Sequence, residues 1–298
     1  MTGSSAEAGT GTVQDALRAA VARGLDRLDS QLLMAHALHR TRSWVIAHAD
    51  DALPRDGGLA FQALVDRRAA GEPFAYLVGE REFHGLRLAV DAAVLVPRPD
   101  TETLVGWALE QLAGPLGSIA RPRVVDLGTG SGAIALAIKA ACPHAEVWAV
   151  ERSPAALAVA STNAQRLRLD VRFAQGDWWR ALDALASPPR FDLAVSNPPY
   201  IAPDDPHLPA LAHEPLEALV AAEGGLADLR AIAEGAPGRL ADGGRLLFEH
   251  GWQQGDAVRD VLAAAGFADI ETRLDLEQRP RCTGGRIMRA SEHANTRF

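Results

Sequence analysis

The sequence predicts an α/β fold built on a parallel, doubly wound sheet. From Arg121 onward, short apolar runs alternate with segments of helical length and amphipathic spacing. Those short runs are apolar almost throughout, as strands covered by helices on both faces must be. A glycine-rich turn, Gly128-Thr129-Gly130-Ser131-Gly132, joins the first of these strands to the helix that follows. Folds of this kind bind ligands at the carboxyl ends of their strands.

The elements follow in order. Met1 to Thr12 is Gly, Ser, Thr and Ala with neither a basic start nor an apolar core, and reads as a disordered tail, not a signal peptide. Val13, Leu17 and Val21 recur at a spacing of four, and Leu25, Leu28 and Leu32 continue the stripe. Trp44-Val45-Ile46 and Phe61-Leu64-Val65 add further apolar turns, with Asp56-Gly57-Gly58 as a break between helices. At Glu80 the period changes. Leu86, Leu88 and Val90 alternate with Arg87 and Ala89 behind a turn at Gly85, which predicts a β-hairpin. Val94 to Pro99 is extended, because its prolines disfavour helix. Asp100 or Thr101 then caps a helix carrying Leu104, Ala108, Leu109 and Leu112. Strands are predicted at Arg123–Leu127, Glu146–Val150, Val171–Phe173, Phe191–Val195 and Arg245–Phe248. Helices fall at Ser131–Ala141, Pro154–Leu167, Leu226–Leu240 and Asp256–Ala265. Ile270–Leu274 and Arg286–Met288, with no helix between them, predict an antiparallel hairpin at the sheet edge.

Composition narrows the function classes. No apolar run is long enough to span a bilayer; the best, Ala133 to Cys142, is short and contains Lys139. Cys142 and Cys282 have no metal-ligand spacing, and a chain with two isolated cysteines fits a reduced cytoplasmic compartment. The net charge of −8 favours a protein or small-molecule partner over direct contact with nucleic acid, whose phosphates call for a basic face. A monomer is expected.

In the glycine turn, Gly128 permits the tight bend, Gly130 lets a ligand approach the backbone, and Gly132 lets helix and strand pack. Unpaired N–H groups at the helix start favour an anionic group. In a dinucleotide enzyme that group is a pyrophosphate; in a methyltransferase it is the methionine carboxylate of S-adenosylmethionine. Gly-x-Gly-x-Gly after an acidic residue favours the second. Glu151 ends the next strand and is placed to accept both ribose hydroxyls. Gly176-Asp177-Trp178-Trp179 ends the third, where the Trp178 indole offers a stacking face for adenine and Asp177 an acceptor for its amine. Trp178 is favoured over Trp179 for that contact; otherwise one of the two is core and the other a surface anchor.

Asn197-Pro198-Pro199-Tyr200 follows the strand Phe191–Val195. Two prolines fix an extended turn and remove two N–H donors. A planar NH₂ group has a delocalised lone pair and is a poor nucleophile. The Asn197 side-chain oxygen and the Pro198 carbonyl can accept its two N–H bonds, orienting the nitrogen towards a methyl donor, while Tyr200 packs against the acceptor plane. His250 sits at a strand end, where a structural role competes with ligand contact.

With these motifs in place, the chain from Leu32 to Arg286 resembles the bacterial peptide chain release factor N5-glutamine methyltransferases. The resemblance rests on Gly79-Glu80-Arg81-Glu82-Phe83, Pro97-Arg98-Pro99-Asp100-Thr101-Glu102, Asp126 to Gly132, Asn197 to Ile201, Asp205-Pro206-His207-Leu208, and Glu249-His250-Gly251-Trp252-Gln253-Gln254-Gly255. It implies a Rossmann-like class I methyltransferase sheet over residues 98–290, a helical substrate-recognition domain over 13–79, a hairpin linker over 80–97, and tails at 1–12 and 291–298. It implies S-adenosylmethionine as cofactor, S-adenosylhomocysteine as product, and the glutamine of the Gly-Gly-Gln loop of class I release factors as substrate. Gly128 to Gly132, Glu151, Trp178 and Asn197 then contact the cofactor, Asn197 to Tyr200 the glutamine, and Arg98 the substrate loop. Glu151 stands where the family commonly has Asp. The segment Pro209 to Pro215 is shorter than usual and lacks a basic residue before Glu214-Pro215. Related enzymes that methylate a ribosomal-protein glutamine share Asn-Pro-Pro-Tyr, and nucleic-acid amine methylation uses the same acceptor chemistry. The N-terminal segment and the run from His250 to Gly255 favour the release-factor enzyme over the first, and the acidic balance argues against the second.

Overall fold

The computed structural model describes residues 11–288, which fall into two compact units dividing between Gly79 and Glu80. The tails expected at 1–10 and 291–298 lie outside the described residues. Gly11 and Thr12, counted with the first tail, are folded. Thr12 forms a capping box with Asp15, and the Gly11 carbonyl accepts from the Leu53 N–H.

The first unit holds helices α1 (Val13–Ala22), α2 (Arg27–Ala37), α3 (Arg42–Ala47), α4 (Arg55–Ala69) and α5 (Phe74–Val78). Thr12, Asp26 and Thr41 cap the first three by accepting a backbone N–H three residues on. The buried stripe runs through Val13, Leu17 and Ala20 of α1 and Leu33 and Met34 of α2, whereas Val21 and Leu28 are exposed. Repeated steps of four drift off the face of a helix with 3.6 residues per turn. Asp56-Gly57-Gly58 is not a break but the first turn of α4. A Cβ on Gly57 would stand 2.4 Å from Leu38 Cδ2, so the glycine lets α4 close on the end of α2.

The second unit opens with a hairpin, β1 (Glu80–Phe83) and β2 (Leu86–Ala89), turned at His84-Gly85 with both residues at positive φ. Next come α6 (Thr101–Ala113), β3 (Arg123–Leu127), α7 (Ala133–Ala141), β4 (Glu146–Glu151), α8 (Pro154–Leu167), β5 (Val171–Gln175) and β6 (Phe191–Ser196). After a long loop follow α9 (Ala222–Gly225), α10 (Ala227–Gly235), β7 (Leu240–Glu249), α11 (Gly255–Ala264), β8 (Phe267–Leu274) and β9 (Pro280–Ile287). The seven-stranded sheet has the order β5-β4-β3-β6-β7-β9-β8. It is parallel as far as β7 and antiparallel across β9. Alternation along each strand feeds two cores. Val124 and Leu193 pack with Leu104 and Leu136 on one face; Val125 and Ala194 pack with Ile232 and Leu262 on the other. Each fully buried aliphatic side chain contributes about 1.5–3 kcal/mol.

The hairpin packs into this unit through Phe83 and Leu88. Asn163 of α8 fastens it: the side chain accepts from Ala89 N at 2.7 Å and donates to Ala89 O at 3.0 Å and Ser131 O at 2.9 Å. Several boundaries differ from expectation, three of them for a plain physical reason. The α7 helix starts at Ala133 because Gly132 has φ +86°. The helix expected to reach Leu240 stops at Gly235 ahead of Pro237, and Leu240 already belongs to β7. The last strand begins at Pro280, six residues early, and runs through Gly284-Gly285. A Cβ on Gly284 would lie 2.5 Å from Leu247 and 2.9 Å from the Trp107 ring, so the glycine makes room for α6 on the sheet. Among the described residues no helix is long and apolar enough to cross a membrane.

Candidate active site

The site forms where β3, β4, β5 and β6 end. Gly128, Gly130 and Gly132 have φ of +77°, +55° and +86°, a region L side chains rarely adopt, which is why the turn is glycine at alternate positions. The N–H groups of Gly128 and Thr129 both donate to Val150 O at 2.9 Å, folding the turn over β4. Asp126 pins it from beneath. Alternation sends this side chain to the α7 side of the sheet, where it accepts from the Thr129 hydroxyl at 2.5 Å and Ala135 N at 3.2 Å. Its other oxygen is buried without a partner. Burial pushes the Asp126 carboxyl up to about 7, against the pull of those two hydrogen bonds.

Glu151 ends β4 beside the turn. One carboxylate oxygen accepts from Gly130 N and the other from Ser153 N, both at 2.9 Å. Each oxygen keeps a lone pair for a vicinal diol. Trp178 sits at φ +42°, with its ring so close over Gly128 that a Cβ there would be 2.9 Å from a ring carbon. Its indole N–H donates to Asp228 Oδ1 of α10 at 3.3 Å, and burial holds the Asp228 carboxyl above its usual range. Asp177 is half-exposed and pairs with Arg152 at 3.8 Å. Trp179 is core, donating to Ile232 O at 2.8 Å.

Asn197 directly follows β6. Its side-chain nitrogen donates to the Thr101 hydroxyl at 3.3 Å. Asp100 occupies the cap position of α6 but makes no capping bond; Thr101 is the first helical residue, and its hydroxyl serves Asn197 instead of the helix. The Tyr200 carbonyl accepts from Gln254 Nε2 at 3.0 Å, and a Cβ on Gly225 would stand only 2.0 Å from that oxygen. Burial, with the Glu249 charge second, holds the Tyr200 phenol above its usual range. Arg98 pairs with the buried carboxylate of Glu214, which also accepts from Val96 N at 3.1 Å. The segment before Pro215 therefore ties down the loop that carries Arg98.

One pocket is lined by Gly128, Thr129, Gly130, Ser131, Glu151, Asp177, Trp178, Asn197, Pro199 and Arg98. Gly132, Pro198 and Tyr200, assigned to the site from sequence, are not wall residues; they set the turn, the backbone path and the packing behind it. Thr101, Asp228 and Glu217 line the pocket without having been singled out. Asp228 has no sequence signal, being the first-turn acid of an ordinary helix, and Thr101 was read only as a cap. Glu249 lies in a noted run, but His250 beside it drew the attention. That histidine is internal, 2.7 Å from Thr283 Oγ1 and 2.9 Å from Gly251 O. The residues fit S-adenosylmethionine. Where a Cβ on Gly130 would stand, nothing lies within 4 Å, so the backbone is open to a ligand. Glu151 offers oxygens for a diol, and Trp178 an aromatic face.

Family models match the chain twice: the PrmC N-terminal domain over residues 13–79, and the Methyltransferase small domain over residues 108–218. The release factor glutamine methyltransferase of Bordetella pertussis is 50% identical over 264 residues, 88% of this chain and 95% of that protein. The Escherichia coli protein of the same name is 44% identical over 264 residues, 87% and 92% of the two chains. Among solved structures, the N-terminal domain of human METTL16 in complex with SAH aligns with a TM-score of 0.52 at 19% identity, covering 74% of this chain and 82% of that one, a likeness of fold alone. By its sequence along nearly the whole length of these relatives, the chain belongs to the release factor glutamine methyltransferase family.

Proposed function

We propose that this protein transfers a methyl group from S-adenosylmethionine to the side-chain amide N5 of the Gly-Gly-Gln glutamine in class I release factors, and so modulates translation termination. The observation that carries the reading is the shared pocket: Asn197 and Pro199 stand in the same walls as the glycine turn and Glu151. An acceptor amide on Asn197 is thereby adjacent to a donor on the turn. The names of the most similar relatives support the substrate.

When bound, S-adenosylmethionine supplies an electrophilic methyl group. The protein's part is positioning. Asn197 Oδ1 and the Pro198 carbonyl accept the two N–H bonds of the glutamine amide, which turns the nitrogen lone pair towards the donor. Tyr200 stays neutral and packs behind the turn that holds the amide. The proton leaves after transfer, when the alkylated nitrogen is acidic. Glu151 holds the ribose, Trp178 and Asp177 the adenine, and Gly128 to Gly132 the amino-acid end. Arg98, anchored by Glu214, contacts the substrate loop, and the helical unit over 13–79 recognises the protein substrate. The enzyme works as a cytoplasmic monomer without direct contact to nucleic acid.

The test is to incubate the protein with labelled S-adenosylmethionine and, separately, release factor, ribosomal protein and tRNA, then map the label by mass spectrometry. Methyl on the Gly-Gly-Gln glutamine is expected. Label confined to ribosomal protein or tRNA overturns the reading.

A further inference from the structure

Trp178 and Trp179 both donate their indole N–H to α10, one turn apart. Trp179 donates to Ile232 O at 2.8 Å and is core; Gly235 makes room for it, since a Cβ there would stand 2.4 Å from its ring. Trp178 is half-buried, lines the pocket, and donates to Asp228 Oδ1 at 3.3 Å.

The place that Trp178 holds is not one its own backbone favours. Its φ of +42° lies in a region that bulky L residues rarely adopt. Its six-membered ring lies against Gly128, where a Cβ would stand 2.9 Å from Cζ3 and 3.2 Å from Cη2. Its N–H meets Asp228. The ring therefore spans from the glycine turn to α10. An indole is not symmetric. Turned over about its Cβ–Cγ bond, it would present a different outline and take the N–H away from the carboxyl. A carboxyl offers an accepting oxygen in either charge state, so the bond asks nothing of the Asp228 titration.

Asp228 is itself held on a fixed seat. Just before α10, Gly225 packs so closely on the Tyr200 carbonyl that a Cβ there would stand 2.0 Å from the oxygen. Gln254 Nε2 donates both to that carbonyl at 3.0 Å and to Gly224 O at 3.2 Å. Leu229, Ile232 and Ala233 bury the inner face of α10. A side chain locked in this way can set the orientation of a pocket wall.

We propose that Asp228 is a positioning residue for the methyl donor: by accepting the Trp178 indole N–H, it fixes the orientation in which that ring walls the adenine end of the pocket. The proposal rests on the reading of Trp178 as the adenine wall. An acid in the first turn also favours a helix by its charge alone; that role would show in melting and leave donor affinity untouched.

Donor affinity by calorimetry, KM and kcat on release factor, and thermal melting are measured for Asp228→Leu, Asp228→Asn, Trp178→Phe and the double variant of the first and third. Asp228→Leu keeps similar bulk without an acceptor. Its affinity for S-adenosylmethionine is expected to fall roughly 3- to 10-fold, the size of one hydrogen bond. The loss appears in KM for the donor, with kcat at saturating donor changed less than about twofold. Asp228→Asn, whose amide oxygen still accepts, recovers most of the affinity. In the Trp178→Phe background, which has no N–H to hold, Asp228→Leu costs less than about twofold further. Equal costs in the two backgrounds mean that the carboxyl does not act through the indole, and overturn the proposal. So does wild-type donor affinity in Asp228→Leu. Should Asp228→Leu fail to fold, Trp178→Phe decides: a ring without N–H that binds the donor as the wild type does overturns it. Trp178→Ala separates the two levels of inference. If it loses donor affinity while Asp228→Leu keeps it, the positioning role is overturned and the adenine-wall reading stands. If Trp178→Ala binds the donor normally, that reading falls and takes the proposal with it.

Discussion

Two buried carboxyls, Asp126 and Glu249, lie under the site, and burial pushes each up to about 7. Both values are raised over those of the unfolded chain, so the folded state binds protons more tightly between the ordinary carboxylate range and about 7. Their contribution to stability is therefore greatest at low pH, falls as pH rises through that window, and is flat above it. Asp126→Asn is expected to shrink the drop in melting temperature between about pH 5 and about pH 8, leaving the Glu249 share. One kcal/mol corresponds to roughly 2–4 °C in a unit of this size. A melting series at several pH values checks it, and a variant whose drop equals the wild type's refutes it. The residues legible from sequence were those whose chemistry shows in a short run. The alternate glycines of 128–132, Glu151 at a strand end and Asn197 before two prolines each stand in local patterns that imply a purpose. Asp228 stands in no such pattern, and Thr101, Glu249 and Glu214 stand in runs that give them no role of their own. They reach the pocket or its backing through strand register and loop packing across scores of positions, and no spacing in the chain records that.

Packing between elements explains both the boundaries that were readable and those that were not. Strands β3 and β4 were found to within a residue because apolar runs bounded by turn residues leave little choice. Gly57 in α4 looks like a break, yet it, like Gly284 in β9, gives a neighbouring side chain room to approach. The hairpin shows what a single side chain can do at this level. Asn163 meets both backbone groups of Ala89 and the Ser131 carbonyl, joining hairpin, α8 and glycine turn. Asn163→Leu fills similar space but strands these groups, and is expected to cost on the order of 3 kcal/mol. It should also weaken S-adenosylmethionine binding, since Ser131 lines the pocket. Denaturant unfolding and calorimetry measure the two effects; wild-type values for both would show that the latch is idle.

For the molecule as a whole, the family assignment and the sheet order carry different information. Identity over most of two chains names the relatives; the order explains why the site needs residues from both ends of the second unit. The last described strand, β9, is not at the edge. It lies between β7 and β8 and hydrogen-bonds to both. It also supplies Arg281, which pairs with Asp100 and Asp275 at 3.1 Å. A chain ending at Leu274 leaves β7 with an open edge and β8 without a partner. Such a truncation is expected to abolish the cooperative melting of the second unit, as followed by circular dichroism; an unchanged transition would show that the strand is dispensable.

Synthesis runs from the amino end, so the place of β9 sets a timetable. The glycine turn, Glu151 and Asn197 all emerge from the ribosome long before Pro280. Until β9 inserts, the strand ending in Glu249 lacks one neighbour, and Asp100, next to Thr101, lacks its Arg281 partner. Methyl transfer is thus expected only from chains completed at least through Ile287, and a product terminated before Pro280 is expected to carry the glycine turn, Glu151 and Asn197 without activity.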